Sequence, residues 1–168
     1  MDTKDIDRKI AVIFATDAVG YSKHMEKDEN QTIQSFEACN EILEKLLKKY
    51  GGSVFNTAGD SVLAEFPSAV AAVECGSDFQ KEIKKRNASI DTSVKLEFRI
   101  GINMGDVVKK SGNLLGDGVN IAARLEALSQ SNGISISKSV FDLVSNKTNL
   151  SFNDLGVQKV KDNEFHAF

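Results

Sequence analysis

The sequence predicts a single α+β domain with a ferredoxin-like βαββαβ core and an α/β C-terminal extension. Two observations lead to this prediction. A chain of 168 residues with 41% hydrophobic content can bury one core and is short for two domains. Its periodic segments follow the order strand, helix, strand, strand, helix, strand, which is the ferredoxin-like order. We therefore expect residues 1–168 to form one domain.

The first half of this core has clear boundaries in the sequence. Residues 10–16 are continuously apolar, which predicts a strand in the middle of a sheet. Residues 30–50 carry apolar side chains at helical spacing, and Gly51 and Gly52 end that helix. The residues from there to Phe66 predict a hairpin of two strands.

The second half begins at Pro67 and Ser68, which are typical of a helix start. Residues 95–108 alternate and predict a strand, in which Gly101 and Gly105 indicate a bend or a close backbone approach. The remaining segments are predicted as loops over 87–94 and 109–113, a helix over 119–128, a strand over 134–137, a helix over 138–144 and two final edge strands.

Two aspartates carry the strongest indication of chemistry. Asp17 and Asp60 each stand where an apolar run breaks into a glycine-containing turn, and the predicted topology brings both to one edge of the sheet. Magnesium and manganese are often held by one or two carboxylates together with substrate phosphates. The turn after Asp17 would also leave backbone N–H groups facing an anion. The alternative is structural: Asp17 starts a helix and Asp60 caps a hairpin turn.

A second constellation lies in the predicted helix over 119–128. Asn120 and Arg124 are four residues apart and therefore share one helix face. An amide and a guanidinium one turn apart suit a ribose and a phosphate undergoing displacement, because charge builds on the phosphoryl oxygens. A helix-start asparagine and a surface arginine are the structural alternative.

Composition excludes some classes of function. The formal net charge of −3 shows no basic excess, which argues against nucleic acid as a partner. Cys39 and Cys75 are isolated thiols amid apolar residues, as expected for small core side chains in a reducing compartment. The N-terminal residues contain no apolar stretch of membrane or signal length. These features predict a cytoplasmic module without direct membrane contact.

Four ordered segments resemble the catalytic domain of class III nucleotidyl cyclases, the adenylate and guanylate cyclase family. They are IFATDAVGYS, NTAGDSVLAEF, FRIGINMGDVV and GDGVNIAARLEAL. The resemblance extends from about Lys9 to Phe168 and implies the class III cyclase fold. It also implies conversion of a nucleoside triphosphate, most often ATP, to a 3′,5′-cyclic monophosphate and pyrophosphate.

The resemblance implies a homodimer or pseudo-homodimer with active sites at the subunit interface. Asp17 and Asp60 would hold two Mg²⁺ or Mn²⁺ ions, helped by the backbone carbonyl of Ala18. Asn120 of the opposite protomer would position the ribose, and Arg124 would stabilise the pentavalent phosphorus.

Phosphate binding is implied at the turn after the first strand and near the C-terminus. The turn residues are Ala18, Val19, Gly20, Tyr21 and Ser22. Lys161 lies where the family often places a basic residue near the terminal phosphates, although Lys159 is close and an exposed strand lysine is the alternative. Arg99, His24 and His166 receive no role from the sequence.

The chain departs from the family at the base-recognition positions. Family adenylate cyclases carry a lysine and an aspartate where this chain has Asn56 and Asn113. An asparagine can turn a donor or an acceptor to a base, so ATP, GTP and a pyrimidine triphosphate all remain open, with ATP first on family frequency.

Two other functions compete with an active cyclase. The asparagine pair fits a nucleotide-binding regulatory domain with weak turnover, and a diguanylate cyclase would share the core fold but its GGDEF signature is absent. Retention of Asp17, Asp60, Asn120 and Arg124 favours the active cyclase. Regulatory domains are expected elsewhere in a longer parent chain.

Overall fold

The structure is a computed structural model and describes residues 6–91, 94–160 and 163–168. Within these residues the strands are β1 (Ile6–Ala18), β2 (Ser53–Ala58), β3 (Ser61–Phe66), β4 (Phe98–Lys110), β5 (Asn113–Leu115), β6 (Ile134–Ile136), β7 (Gly156–Val160) and β8 (Asn163–Ala167). The helices are α1 (Tyr21–Lys27), α2 (Glu29–Tyr50), α3 (Ala69–Ser89), α4 (Asp117–Leu128) and α5 (Lys138–Val144).

The main sheet has the strand order β2-β3-β1-β4-β5. Neighbouring strands along this path pair antiparallel, and β6 pairs parallel to β4 through residues 100–102. Strands β7 and β8 form a separate two-stranded sheet. The predicted ferredoxin-like core with an α/β extension is confirmed, because β1 lies between β3 and β4.

Helices α2 and α3 cover one face of the sheet and form the main core. Asp28 caps α2 by accepting a hydrogen bond from the Gln31 N–H, and Ser68 caps α3 by accepting one from Ala71. Cys39 and Cys75 are free and fully buried in this core, as predicted. Burial raises the pKa of the Cys75 thiol to about 12, which keeps it protonated and unreactive.

The other face of the sheet is packed mainly by α4. Ala11, Ile13 and Ala15 of β1 meet Val119 and Ala122 there. Phe55 and Leu63 join this cluster from β2 and β3 but stay only partly buried. The β2–β3 end of this face is therefore less covered than the part beneath α4.

Several element boundaries differ from those predicted. Helix α1 was predicted only by the structural alternative for Asp17, and it begins after Gly20 instead; it is one short segment with no buried residue, so hydrophobic periodicity could not reveal it. β4 continues into the predicted loop over 109–113 as far as Lys110, and the chain turns into β5 at Ser111 and Gly112, both with positive φ. α3 likewise runs into the predicted loop over 87–94 as far as Ser89.

Among the described residues, none of the helices combines the length and the apolar character needed to cross a bilayer.

A close approach between strand and helix fixes α4 on the sheet. A Cβ atom at Gly101 would lie 2.2 Å from the Glu126 backbone nitrogen and 2.3 Å from the Ala122 carbonyl oxygen. Both atoms belong to the helix backbone, so they cannot move aside as a flexible side chain would. The predicted close approach at Gly101 is thus made by α4.

We expect Gly101→Ala to destabilise the fold by about 3 kcal/mol or more, because α4 must shift away from β4. Urea unfolding followed by circular dichroism measures this loss. Gly105→Ala on the same strand is the control, since its Cβ would meet the Asn103 side-chain nitrogen at 3.1 Å and no α4 backbone atom below 3.4 Å. Equal losses in the two variants would contradict the role given to Gly101.

Candidate active site

The two predicted aspartates meet at the C-terminal end of β1. Asp60 follows Gly59 at the tip of the β2–β3 hairpin, where Gly59 has a φ of 59°. Its Oδ2 accepts a hydrogen bond of 3.0 Å from the Ala18 N–H, the residue next to Asp17. The antiparallel pairing of β1 with β3 therefore places both carboxyl groups at one edge of the sheet.

Arg99 completes this cluster and was missed by sequence reasoning. It lies directly opposite Asp17 in the β1–β4 ladder. Its Nε donates to Asp17 Oδ1 at 3.2 Å and its Nη2 donates to Oδ2 at 2.9 Å. The Thr16 hydroxyl also donates to the Arg99 carbonyl at 2.8 Å. This two-point contact fixes the orientation of the Asp17 carboxyl group.

Glu126 of α4 is a third carboxyl group in the cluster. Its Oε2 lies 3.8 Å from Arg99 Nη2, and its side chain is largely buried. Burial raises the pKa of Glu126 to about 8; a hydrogen bond and the charge of Asp17 add to the rise, while Arg99 opposes it. The hydrogen bond to Asp17 in turn raises the pKa of Arg99. The surroundings of Glu126 therefore favour its protonated form.

Two of the five residues in the predicted phosphate turn have backbone N–H groups that already donate within the protein. The Ala18 N–H donates to Asp60, and the Val19 N–H donates to the Glu97 carbonyl at 2.7 Å. Both groups are therefore used by the protein itself. The turn continues through Gly20, which has a φ of 64°, into α1 without a side-chain cap. The N–H groups of Gly20, Tyr21 and Ser22 therefore remain as the donors that this turn can offer to an anion.

Asn120 and Arg124 lie on α4, on a different side of the helix from Glu126. Asn120 is exposed and Arg124 is half-buried. Glu126, which faces the cluster, is two residues beyond Arg124 and so lies about 200° further around the helix. Within one chain, α4 therefore turns Glu126 towards Asp17 and presents Asn120 and Arg124 on a different side.

The two asparagines at the base-recognition positions lie on strands that approach each other. Asn56 is exposed on β2, and Asn113 is the first residue of β5. Cα atoms of these two strands come within 8 Å although the strands stand at opposite ends of the sheet order. Asn113 Oδ1 accepts the Leu114 N–H at 2.9 Å, which leaves its Nδ2 group as the outward donor.

The described residues do not place the candidate lysines and histidines at the site. Lys161 lies outside the described residues, and of Lys159 only the backbone, in β7, is described. His166 Nε2 lies 2.5 Å from Asp154 Oδ1, and His24 lies in the last turn of α1.

The donor set suits a hard divalent cation. Asp17, Asp60 and the Ala18 carbonyl offer oxygen atoms, which magnesium and manganese prefer. Among the described residues, no group of three or more His, Cys, Asp and Glu side chains is arranged to hold a metal ion alone. The site therefore fits an ion that takes part of its coordination shell from substrate phosphates and water.

Comparison with known proteins agrees with the sequence motifs. The family model described as the adenylate and guanylate cyclase catalytic domain matches residues 3–167. A curated protein of Rhizobium meliloti (strain 1021) named "Putative adenylate cyclase 3" is 41% identical over 165 residues, which is 98% of this chain. The chain spans only 28% of the length of that relative.

Solved structures show the same fold. An adenylate/guanylate cyclase/hydrolase from Silicibacter pomeroyi superposes with a TM-score of 0.89 at 34% identity, covering 96% of both chains. The adenylyl cyclase CyaB from P. aeruginosa superposes with a TM-score of 0.80 at 26% identity, covering 96% of this chain and 93% of the other.

The raised pKa of Glu126 predicts a defined pH dependence of stability. Between the ordinary carboxyl pKa near 4.5 and the folded value of about 8, the folded chain holds a proton that the unfolded chain has lost. Glu126 therefore makes its largest contribution to the free energy of unfolding below about pH 4.5. The contribution falls by up to roughly 1.4 kcal/mol per pH unit as the pH rises to 8.

Glu126→Gln removes this titration, so the stability difference between variant and parent should move in favour of the variant from pH 5 to pH 8. Urea unfolding of both proteins in a metal chelator measures the difference. Parallel pH profiles for the two proteins would show that Glu126 is ionised in the folded chain.

Proposed function

The chain belongs to the adenylate and guanylate cyclase catalytic-domain family, and from this we propose that it converts a nucleoside triphosphate, with ATP first, to a 3′,5′-cyclic monophosphate and pyrophosphate. The single observation that carries the proposal is the meeting of Asp17 and Asp60 at one sheet edge beside the turn at Gly20. Residues 1–168 would act as one catalytic domain.

Asp17, Asp60 and the Ala18 carbonyl would hold two Mg²⁺ or Mn²⁺ ions. Bound there, such ions lower the pKa of the ribose 3′-hydroxyl and neutralise phosphate charge. Each carboxylate oxygen has two lone pairs, so Asp17 can keep its contacts with Arg99 and still act as a ligand. Arg99 is therefore a positioning residue that prevents rotation of the Asp17 carboxyl group.

The turn after β1 would hold the leaving phosphates. Its N–H donors at Gly20, Tyr21 and Ser22 lie next to the metal ligands along the chain, and the left-handed Gly20 lets the backbone change direction there. Catalysis then depends on positioning and on electrostatic stabilisation of the phosphoryl group, with little acid or base chemistry by the protein.

A second copy of the chain would supply Asn120 and Arg124. On one chain these residues lie on a different side of α4 from Glu126, so they cannot serve the same carboxyl cluster. The sheet face near Phe55 and Leu63 is only partly covered and offers apolar surface for the partner. We propose a two-fold homodimer in which each active site takes metal ligands from one protomer and Arg124 from the other.

Base selection would rest on Asn56 and Asn113 of the protomer that supplies Arg124. The name of the Rhizobium meliloti relative favours ATP. GTP is the second candidate, because the outward Nδ2 of Asn113 is a donor and guanine O6 is an acceptor. Regulatory domains in a longer parent chain are part of the same proposal, in line with the greater length of that relative.

The first test is the product spectrum. We expect the purified protein with Mn²⁺ to form a cyclic monophosphate and pyrophosphate from at least one of ATP, GTP, CTP and UTP, as measured by liquid chromatography with mass detection. Asp60→Asn keeps an oxygen to accept the Ala18 N–H but removes the charge, and should lower turnover by about 100-fold or more.

The matched control is Asp142→Asn, which removes an equal charge from an exposed residue of α5 and should leave turnover unchanged. Absence of product with all four triphosphates would overturn the proposed activity, and an Asp60→Asn variant as active as the control would overturn the metal site.

The second test addresses the shared site. Asp60→Asn and Arg124→Ala should each be nearly inactive alone. When the two variants are mixed, half of the dimers are mixed and each holds one intact site, so activity should return to at most about a quarter of the parent value. Rates after mixing, measured against total protein, check this, and a mixture no more active than its components would exclude a shared site.

A further inference from the structure

A cavity of about 490 Å³ lies between α3, the loop before β6 and the segment after α5. Its lining residues are Val73, Ser77, Gln80, Lys81, Lys84, Asn132, Gly133, Ile134, Leu150, Ser151 and Phe152. None of these belongs to the candidate active site. The volume falls in the range of about 300–1,000 Å³ that is typical of small-molecule sites.

The lining combines an apolar surface with positive charge. Ile134, Leu150 and Phe152 are partly exposed and supply apolar surface. Lys81 and Lys84 are exposed on α3 and are the charged residues of the lining. Such a combination suits a small molecule with an apolar body and an anionic group.

Gln80 adds a specific polar contact. It is 92% buried, and its Nε2 donates to the Phe98 carbonyl at 2.9 Å and to the Gly133 carbonyl at 2.9 Å. Because both N–H groups are used, the amide cannot flip. Its Oε1 is buried and has no partner among the described residues. A buried acceptor without a donor is unfavourable, so a shift of the Gln80 side chain that brought Oε1 to a donor in the cavity would be favoured.

A short stretch of β-sheet backbone connects this cavity to the candidate active site. The Phe98 carbonyl accepts from Gln80 and from the Asn132 N–H, both of which line the cavity. The next residue, Arg99, holds Asp17, and the preceding Glu97 carbonyl accepts from the Val19 N–H of the phosphate turn. A displacement of Gln80 would therefore move the backbone at Phe98. Its neighbours Arg99 and Glu97, which contact Asp17 and Val19, would move with it.

We propose that this cavity is an effector site for a small amphipathic anion and that its occupancy changes the affinity of the active site for metal. The anionic group faces Lys81 and Lys84, and the Gln80 amide shifts to bring its enclosed Oε1 to a donor on the ligand. The apolar body packs against the wall formed by Ile134 and Phe152. Ligand binding does not depend on the proposed function, whereas the coupling to metal rests on it.

The binding test uses the aromatic sulfonate 8-anilinonaphthalene-1-sulfonate as the probe. We expect one saturable site per chain by fluorescence titration. The double variant Lys81→Glu/Lys84→Glu should weaken binding by about tenfold or more, because attraction of the sulfonate becomes repulsion. Both side chains are exposed, so the fold should be unaffected, as thermal unfolding checks.

The matched control is Lys85→Glu, an exposed lysine on the same helix that does not line the cavity. It should change the affinity for the probe by less than about twofold, since an exposed charge at a distance is screened by solvent. Equal affinity in the parent and the double variant would place the probe elsewhere and overturn the site, as would a lack of saturable binding.

The coupling test measures free Mn²⁺ by electron paramagnetic resonance with and without saturating probe. In the parent we expect the affinity for Mn²⁺ to change by about fivefold or more, and in the double variant to stay constant. If the probe binds the cavity and Mn²⁺ affinity does not change, the coupling is wrong and the ligand site remains. If Mn²⁺ does not bind with or without probe, the proposed coupling fails, and the nucleotide-dependent metal site is judged separately by the activity of Asp60→Asn.

Discussion

The antiparallel ladder between β1 and β4 is the constraint on which the site depends. Its register pairs Ala15 with Gly101 and Asp17 with Arg99. The first pair removes a Cβ where the backbone of α4 approaches the sheet, and the second brings a guanidinium to a carboxylate. A slip of one residue would turn every side chain of one strand to the opposite face. The same register therefore fixes the positions of α4, Asp17 and Arg99.

Local sequence signals predicted most of the fold for reasons that the structure makes clear. The apolar run over 10–16 lies between two other strands, and Gly51 ends α2 with a φ of 79°. Interactions across the sheet explain what was missed. β1 extends to Ile6 because its polar residues pair with β4, including an ion pair between Arg8 and Asp106.

The candidate site was only partly predictable for the same reason. Asp17 and Asp60 stand out because glycine-containing turns follow apolar runs, which is a local pattern. The pairing of Arg99 with Asp17 joins residues 82 positions apart, so no local pattern contains it. Glu126 is buried only because Gly101 admits α4, and its own neighbours in sequence give no sign of this.

The net charge of the carboxyl cluster links Glu126 and Arg99 to Asp17 and Asp60. Asp17, Asp60 and Glu126 would carry three negative charges against one positive charge on Arg99 if all were ionised, which is costly in a partly buried site. The chain relieves this excess by raising the pKa of Glu126, so one carboxyl group keeps its proton. Under the proposed function, divalent ions would supply the missing positive charge when nucleotide binds. Because Glu126 and Arg124 share α4, a change of charge on one side of the helix would, under the proposed function, act on the element that presents Arg124 to the partner protomer.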